Sequence, residues 1–212
     1  MLGVIFDMDG TLLDTQRIYV DAWEAIGPEY GVTGLGAHIP AVCGMRVDAW
    51  QQYLRERFPS IVLDEFYDKV KDYIQKNLII RFMPGAKELM DFLKEHHVPM
   101  AIASGSSRNL IEYYFSHLGG LEDFEAVVGG DEIEHSKPAP DIFLKAAKKM
   151  GVAPENCIVF EDAENGLRAG LAAGMRCVAV PDVAPISAAM RQELFGCIDS
   201  LADGIELIQP LL

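Results

Sequence analysis

Two aspartates, Asp7 and Asp9, lie one residue apart where an apolar run ends in a glycine turn. Two carboxylates this close repel each other, so their charge must be neutralised, and a divalent cation at the end of the strand would do this. Oxygen ligands of this kind suit Mg²⁺, which usually keeps several waters and takes further oxygens from a phosphorylated substrate. The alternative is a strand that ends in a solvated turn of aspartate and glycine, and the pair alone does not decide between the two.

Further groups that suit phosphate chemistry follow later apolar runs: Ser104 with Gly105, then Lys137, then Glu161 with Asp162. Carboxylates can hold a metal, whereas a hydroxyl, the N–H groups beside a glycine and an ammonium can hold phosphoryl oxygens. Each residue alone has an ordinary explanation as a helix cap or a solvated charge. Their joint placement at the ends of predicted strands favours one site for phosphate and magnesium.

The elements that must position these residues alternate along the chain. Short runs rich in Val, Ile and Ala predict buried strands, and amphipathic stretches between them predict helices. This alternation is typical of an α/β fold with a Rossmann-like parallel sheet between two helical layers, in which ligands bind beyond the carboxyl ends of the strands. The predicted strands cover residues 4–7, 99–104, 126–130, 157–161 and 177–180, and the predicted helices cover 86–96, 109–118, 141–150 and 163–173.

One long stretch interrupts this alternation. Between residues 15 and 82 the sequence predicts helices but no parallel strand. We therefore predict an α-helical domain over residues 15–82 that is inserted after the first strand, with residues 1–14 and 83–212 forming the core domain. Pro84 and Gly85 mark the return to the sheet. The helices predicted within the insertion cover residues 18–26, 46–58 and 64–78.

Composition limits the class of partner. The 212 residues include 32 acidic and 18 basic side chains, a net charge of −14, which argues against binding to nucleic acid or to an anionic membrane. The first residues lack a basic segment before their apolar run, and no run reaches membrane-spanning length, which predicts a soluble cytoplasmic protein. The four cysteines lack metal-ligand spacing and are expected to be reduced core thiols. A monomer or a weak homodimer is expected.

Four segments, in this order, resemble the motifs of the haloacid dehalogenase superfamily, whose members transfer phosphoryl groups through an aspartate nucleophile. The match extends over nearly the whole chain. Asp14-Thr15 and residues 161–175 are similar to the branch that contains β-phosphoglucomutase and small sugar-phosphate phosphatases. In this family the helical insertion is a mobile cap. The four matching segments are Asp7-Met8-Asp9-Gly10-Thr11-Leu12, Ser104, Lys137 with Pro138, Pro140 and Asp141, and Glu161-Asp162-Ala163 with Gly166.

The resemblance implies different roles for the two aspartates. Asp7 is the nucleophile that forms an aspartyl-phosphate with the substrate. Asp9 is the acid/base that protonates the leaving alkoxide and later deprotonates the attacking water. The dehalogenases of this superfamily displace halide, need no such acid and lack the second carboxylate. The presence of Asp9 therefore favours phosphoryl transfer.

The resemblance also implies a ligand set for Mg²⁺ and for phosphate. Asp7, the backbone carbonyl of Asp9, and Asp162 hold the metal, with Glu161 nearby. Electrostatic stabilisation of the transferring group is usually the largest part of such catalysis. The residues implied to bind the phosphoryl oxygens are Ser104, Gly105 and Lys137.

The activity implied is that of a Mg²⁺-dependent phosphatase acting on a small phosphorylated metabolite, namely a sugar or polyol phosphate. One alternative is an intramolecular phosphomutase of the β-phosphoglucomutase type. That mutase has a histidine one turn before the tryptophan of its first cap helix, whereas this chain has Tyr19 before Trp23. Another alternative is a non-catalytic sensor of phosphorylated metabolites, against which the intact set of site residues argues.

Four residues are candidates for contact with the substrate: Arg46, Tyr19, Trp23 and Arg108. Arg46 is similar to the cap arginine that meets the distal phosphate or acidic group of a substrate. Tyr19 and Trp23 are spaced to form either a core pair or a wall for a sugar, and packing as a core pair is favoured. Arg108 follows the serines after the second predicted strand, near the start of a helix.

Overall fold

The structure is a computed structural model that describes residues 1–42 and 47–212. It divides into two compact units, of which the first comprises Met1–Asp14 with Ile80–Leu212 and the second comprises Thr15–Ile79. No helix among the described residues combines the length and the apolar character that a membrane crossing requires. The assignment of residues 15–82 as a cap stays a prediction.

The first unit is built on one sheet of parallel strands. Its strands are β1 (Gly3–Phe6), β2 (Met100–Ala103), β3 (Ala126–Val128), β4 (Cys157–Glu161), β5 (Arg176–Ala179) and β6 (Gly196–Cys197). Their order in space is β3-β2-β1-β4-β5-β6, and every pairing is parallel. The chain runs outward from β1 to one edge and then crosses to the other side, which creates a switch point beside β1 where ligands bind in such sheets. The predicted α/β fold with a parallel sheet is confirmed.

Helices connect the strands and form the second unit. Those of the second unit are α1 (Arg17–Ile26), α2 (Ile39–Val42), α3 (Val47–Arg57) and α4 (Leu63–Asn77). Those of the first unit are α5 (Ala86–Glu95), α6 (Arg108–Leu118), α7 (Asp141–Met150), α8 (Glu164–Ala172), α9 (Ala188–Arg191) and α10 (Gly204–Ile208).

The central strand β1 is buried on both faces. Val4, Ile5 and Phe6 have no exposed surface, as expected for a continuous apolar run in a parallel sheet covered by helices. The ring of Phe6 stacks on that of Phe160 in β4, with centroids 5.5 Å apart. Phe6 is also in register with Ile102 of β2 and with Phe160, so β2 and β4 each end one residue beyond the end of β1. The residues that follow them are therefore brought to one edge.

The chain leaves the first unit after Asp14 and returns to it at Ile80. The backbone N–H of Asp14 donates to the carbonyl of Arg81 over 3.0 Å. The Nε and Nη2 groups of Arg81 donate to Oδ2 of Asp14 over 2.8 and 2.6 Å. Leu13 and Phe82 form an antiparallel bridge next to this pair. The outgoing and returning segments are therefore fixed side by side within the first unit.

An aromatic cluster forms the core of the second unit. Trp23 is 4% exposed, and its ring lies 5.6 Å from that of Phe66 and 6.1 Å from that of Trp50. Tyr19, one turn earlier on α1, is 40% exposed. Interpretation of these two residues as a core pair is therefore wrong for Tyr19, because only Trp23 lies on the face of α1 that packs against α4.

The described cysteines differ in their surroundings. Cys157 and Cys177 are buried in central strands, and burial raises the pKa of the Cys177 thiol to about 12, which makes it unreactive. Cys197 is exposed because it lies on the short edge strand β6, so its expected place in the core was wrong. Cys43 lies outside the described residues.

Candidate active site

The two aspartates occupy the first turn beyond β1. The backbone N–H of Asp7 still donates to the carbonyl of Phe160 over 3.0 Å, which ties Asp7 to the neighbouring strand. The chain then turns, and the N–H of Leu12 donates to the carbonyl of Met8 over 3.0 Å. Asp9 lies within this turn. Asp7 is consequently held by the sheet, whereas Asp9 is carried by the turn.

Lys137 bridges two of the predicted site carboxylates. Its Nζ donates to Oδ1 of Asp7 over 2.5 Å and to Oε1 of Glu161 over 2.7 Å. The side chain of Lys137 is 12% exposed, and those of its partners are 8% and 3% exposed. Burial lowers the pKa of Lys137, but the charges of Asp7 and Glu161 outweigh burial and raise the pKa above its usual range. Lys137 is therefore a fixed positive charge at the centre of the site.

Three buried carboxylates surround this charge. Asp7, Glu161 and Asp162 each offer an oxygen within 4.8 Å of the others. Burial, together with the charges of Glu161 and Asp9 and against that of Lys137, raises the pKa of Asp7 to about 8. Burial and the charges of Glu161 and Asp7 likewise raise the pKa of Asp162 well above its ordinary value. One ammonium does not balance three carboxylates, so a divalent cation with oxygen ligands fits this cluster.

The carboxylate of Glu161 is positioned by local backbone. Its Oε2 accepts a hydrogen bond from the N–H of Ala163 over 2.7 Å, while Oε1 accepts from Lys137. A Cβ at Gly166 would lie 1.6 Å from Oε1 of Glu161. The spacing between Glu161 and Gly166 in the sequence motif therefore has a steric cause, since any side chain at position 166 would displace this carboxylate.

The side chain of Asp9 has different surroundings from that of Asp7. Its Oδ2 accepts hydrogen bonds from the hydroxyl of Ser106 over 2.7 Å and from that of Ser104 over 3.1 Å. Ser104 is fully buried, and its Oγ also accepts the backbone N–H of Ser106 over 3.0 Å. The side chain of Asp9 is not part of the group of three carboxylates described above. A metal contact through its backbone carbonyl stays a prediction.

Two polar residues of this site were missed by the sequence interpretation. Ser106 contacts Asp9, and the hydroxyl of Thr11, which is fully buried, donates to Oδ1 of Asp162 over 3.4 Å. Both lie inside segments that were already singled out for other residues. Each is a hydroxyl two residues from a predicted site residue, Ser104 or Asp9, and this proximity is the signal that the sequence carries.

Five predicted site residues remain, and the structure describes the contacts of some of them. Gly105 lies in the turn between Ser104 and Ser106. Arg108 begins α6, and its guanidinium donates through Nε to Glu112 over 2.7 Å and through Nη1 to the carbonyl of Val127 over 2.9 Å. Arg46 lies outside the described residues. Tyr19 and Trp23 belong to the second unit. Contact of these residues with a substrate stays a prediction.

Comparison with known proteins decides the family. The model of the haloacid dehalogenase-like hydrolases matches residues 1–174. The chain belongs to the haloacid dehalogenase-like hydrolases. The match confirms the predicted family. Together with relatives that are phosphatases, it confirms that this haloacid dehalogenase-like hydrolase is a phosphoric monoester hydrolase, as predicted.

Relatives of this hydrolase include phosphatases named for two different substrates. It is 36% identical over 180 residues to the fructose-1-phosphate phosphatase YqaB of Escherichia coli. That match covers 84% of this chain and 95% of YqaB. It is 37% identical over 183 residues to a bifunctional riboflavin kinase/FMN phosphatase of Arabidopsis thaliana. That match covers 85% of this chain but only 48% of the Arabidopsis protein, so the chain spans about half of that relative.

A solved structure of similar fold is that of β-phosphoglucomutase from Clostridium difficile. The two chains superimpose with a TM-score of 0.75 at 24% sequence identity, and the match covers 99% of this hydrolase and 96% of the mutase. The likeness confirms the fold predicted for this branch of the haloacid dehalogenase-like hydrolases.

Proposed function

We propose that this protein is a Mg²⁺-dependent phosphatase that hydrolyses a small sugar or polyol phosphate through an aspartyl-phosphate on Asp7. One observation carries this proposal: two aspartates a single residue apart have different surroundings. Asp7 accepts a hydrogen bond from Lys137 within the cluster of buried carboxylates, whereas Asp9 accepts hydrogen bonds from two serine hydroxyls. Neighbouring carboxyl groups with different surroundings are suited to different tasks in one reaction.

The reaction divides into two displacements at phosphorus. In the first, a carboxylate oxygen of Asp7 attacks phosphorus, the bond to the alcohol oxygen of the substrate breaks, and Asp9 gives that oxygen a proton. In the second, Asp9 takes a proton from water, the water oxygen attacks phosphorus, and the bond to Asp7 breaks. Inorganic phosphate leaves, and both aspartates return to their starting states.

The charged groups of the site serve both steps. Lys137 and Ser104 are proposed to hold oxygens of the transferring group, with a backbone N–H of the turn at Gly105. Mg²⁺, held by Asp7, Asp162 and the carbonyl of Asp9 with Glu161 nearby, supplies positive charge to the carboxylates and the phosphoryl oxygens when bound. These groups offer only oxygen ligands, which this ion prefers.

The substrate class is proposed from two further points. The Escherichia coli relative is named for a ketose phosphate, which supports a sugar or polyol phosphate for this chain as well. The second unit is proposed to be a cap over residues 15–82 that selects the substrate, with Arg46 facing its distal group. Tyr19 stands where the resembling mutase has a histidine, which supports a phosphatase.

A phosphate-release screen tests the proposed activity. With Mg²⁺, sugar or polyol phosphates are expected to be hydrolysed with kcat/KM of about 10⁴ M⁻¹s⁻¹ or more, at least ~10-fold above nucleotides. Hexose 1-phosphates are included and their products are separated. Conversion to the 6-phosphate with little free phosphate would instead identify a mutase. A protein that binds these compounds but hydrolyses none of them, nor a generic aryl phosphate, would be the sensor.

The thermal stability of the metal-free protein is expected to fall as the pH rises. Asp7 has an ordinary pKa of 3.8 and a pKa of about 8 in the folded metal-free protein, so folding takes up a proton between these values. The stability from this proton is complete below the lower value and is lost as the pH rises through the upper one. In EDTA, we therefore expect Tm to fall by ~5 °C or more between about pH 6 and about pH 8.5.

Mg²⁺ competes with that proton for the same carboxylates, so it is expected to raise Tm more at about pH 8.5 than at about pH 6. Differential scanning fluorimetry with EDTA or millimolar Mg²⁺ measures both effects. Asp7→Asn is the control, because it removes the titrating group and is expected to reduce both. An equal gain from Mg²⁺ at the two pH values would contradict a metal site at these carboxylates.

A further inference from the structure

We propose that Ser106 is the positioning residue that orients the carboxylate of Asp9 for proton transfer to the leaving alkoxide. This inference rests on the proposed function, because it takes Asp9 as the acid of the reaction. Sequence motifs pointed to Ser104 at this turn and left Ser106 without a role. The structure gives Ser106 the shorter of the two hydroxyl contacts to Asp9, 2.7 Å against 3.1 Å.

The contacts around Oδ2 of Asp9 form a closed arrangement. Ser106 reaches this oxygen through its hydroxyl, and its backbone N–H donates to the Ser104 hydroxyl that reaches the same oxygen. Two donors on one carboxylate oxygen restrict both rotations of an aspartate side chain in the substrate-free protein. Ser104 has a single hydroxyl proton, which in the proposed function turns to a phosphoryl oxygen, so Ser106 remains as the donor to Asp9 when substrate is bound. An acid that must meet a substrate oxygen gains most of its effect from such fixed geometry, since small misplacements reduce the rate strongly. Ser106 therefore contributes twice, through its hydroxyl to Asp9 and through its backbone N–H to the Ser104 hydroxyl.

Ser106 is itself held in place by the loop that follows β3. Its carbonyl accepts a hydrogen bond from the N–H of Gly130 over 2.8 Å. A Cβ at Gly130 would lie 2.2 Å from the carbonyl oxygen of Gly105, so the two turns are in contact through backbone alone. The backbone N–H of Arg108 also donates to Oδ1 of Asp131 over 2.8 Å. The Ser106 hydroxyl thus projects from a turn that is fixed on both sides.

The next serine provides a matched control. Ser107 is the N-cap of α6, and its hydroxyl accepts the N–H of Leu110 over 3.4 Å. Ser106 and Ser107 are therefore adjacent residues of the same type, one bonded to Asp9 and the other to the start of a helix. Removal of either hydroxyl perturbs the same short segment, but only removal of the first affects Asp9 directly.

Substrates with different leaving groups distinguish a misplaced acid from a general loss of active protein. An alkoxide needs a proton as it departs, whereas a p-nitrophenolate departs without one. The ratio kcat/KM reports steps up to the first irreversible one, which is formation of the aspartyl-phosphate, and so excludes the later hydrolysis. A defect in the orientation of Asp9 must therefore appear in kcat/KM for an alkyl phosphate and be largely absent for p-nitrophenyl phosphate.

The experiment compares Ser106→Ala, Ser106→Thr and Ser107→Ala on the best alkyl phosphate of the screen and on p-nitrophenyl phosphate, with Mg²⁺. Ser106→Ala is expected to lower kcat/KM by ~10- to 100-fold for the alkyl phosphate and by less than ~3-fold for the aryl phosphate. Ser106→Thr keeps the hydroxyl and is expected to recover most of the loss. Ser107→Ala is expected to change kcat/KM for the two substrates by the same small factor.

Two results would overturn the inference while the proposed function stands: unchanged kcat/KM in Ser106→Ala, or equal losses on both substrates. A Ser106→Ala protein with lowered Tm is still informative, because unfolding reduces both activities alike and leaves their ratio unchanged. Failure of the proposed function gives a different result, since the wild-type protein would then release phosphate from neither substrate.

Discussion

Replacement of Asp7 by Asn is expected to lower phosphate release by about 10⁴-fold or more, because an amide cannot attack phosphorus as a carboxylate does. The variant keeps the shape of the side chain and removes a charge that is buried beside Glu161 and Asp162. Its Tm in EDTA at about pH 8 is therefore expected to equal or exceed that of the wild-type protein. Phosphate release with the best substrate and a melting curve together measure both effects.

The matched control is Asp91→Asn, which makes the same chemical change at an exposed position on α5. It is expected to keep wild-type turnover and Tm. A folded Asp7→Asn protein with turnover close to that of the wild type would exclude Asp7 as the nucleophile. Trapping of acid-stable or borohydride-reactive phosphoprotein in the wild type, and its loss in the variant, gives a second readout.

Replacement of Lys137 by Met is expected to lower kcat/KM by ~10²- to 10³-fold, because it removes a fixed positive charge from the place where phosphoryl oxygens are proposed to bind. The same change leaves Asp7 and Glu161 buried without their bridging cation. Loss of one partner of a buried ion pair is strongly destabilising, so Tm in EDTA is expected to fall by ~5 °C or more. Steady-state kinetics and scanning fluorimetry measure the two consequences.

Mg²⁺ is expected to recover part of the Tm lost in Lys137→Met, because the ion contributes charge to the same carboxylates, but it is not expected to recover kcat/KM. Lys148→Met, on the exposed face of α7, is the matched control and is expected to change neither quantity. Wild-type kcat/KM in Lys137→Met would show that this ammonium has a structural role only.

The sheet was predictable from the sequence because its central strands are continuous buried runs. The strand predicted at residues 4–7 is β1 (Gly3–Phe6), and the one predicted at 157–161 coincides with β4. The edge strand β6 was missed, since its two residues are too few for any hydrophobic period. Cys197 is exposed for a related reason: β6 lies at the edge of the sheet and has a neighbouring strand on one side only.

The charged residues of the site were also predictable, because carboxylates and a lysine after apolar runs are rare enough to be noticed together. The assignment of hydroxyls was not. Ser104, Ser106 and Ser107 look alike in the sequence, yet two of them contact Asp9 and the third caps a helix. Which hydroxyl meets which group depends on the direction of the turn, and that direction is set by backbone contacts with Gly130, far along the chain.

The pairing of Asp14 with Arg81 affects the entropy of the segment between them. The core holds these two residues together through backbone and ion-pair contacts, so Thr15–Ile79 forms a loop whose ends are already joined. The entropy lost in closing such a loop rises only slowly, by about 0.6 kcal/mol for each doubling of its length. The core can therefore accept a longer, shorter or differently folded segment here at little expense to its stability. In the proposed function this segment selects the substrate, so selection for new substrates would act on it while the proposed catalytic residues Asp7 and Asp9 stay unchanged.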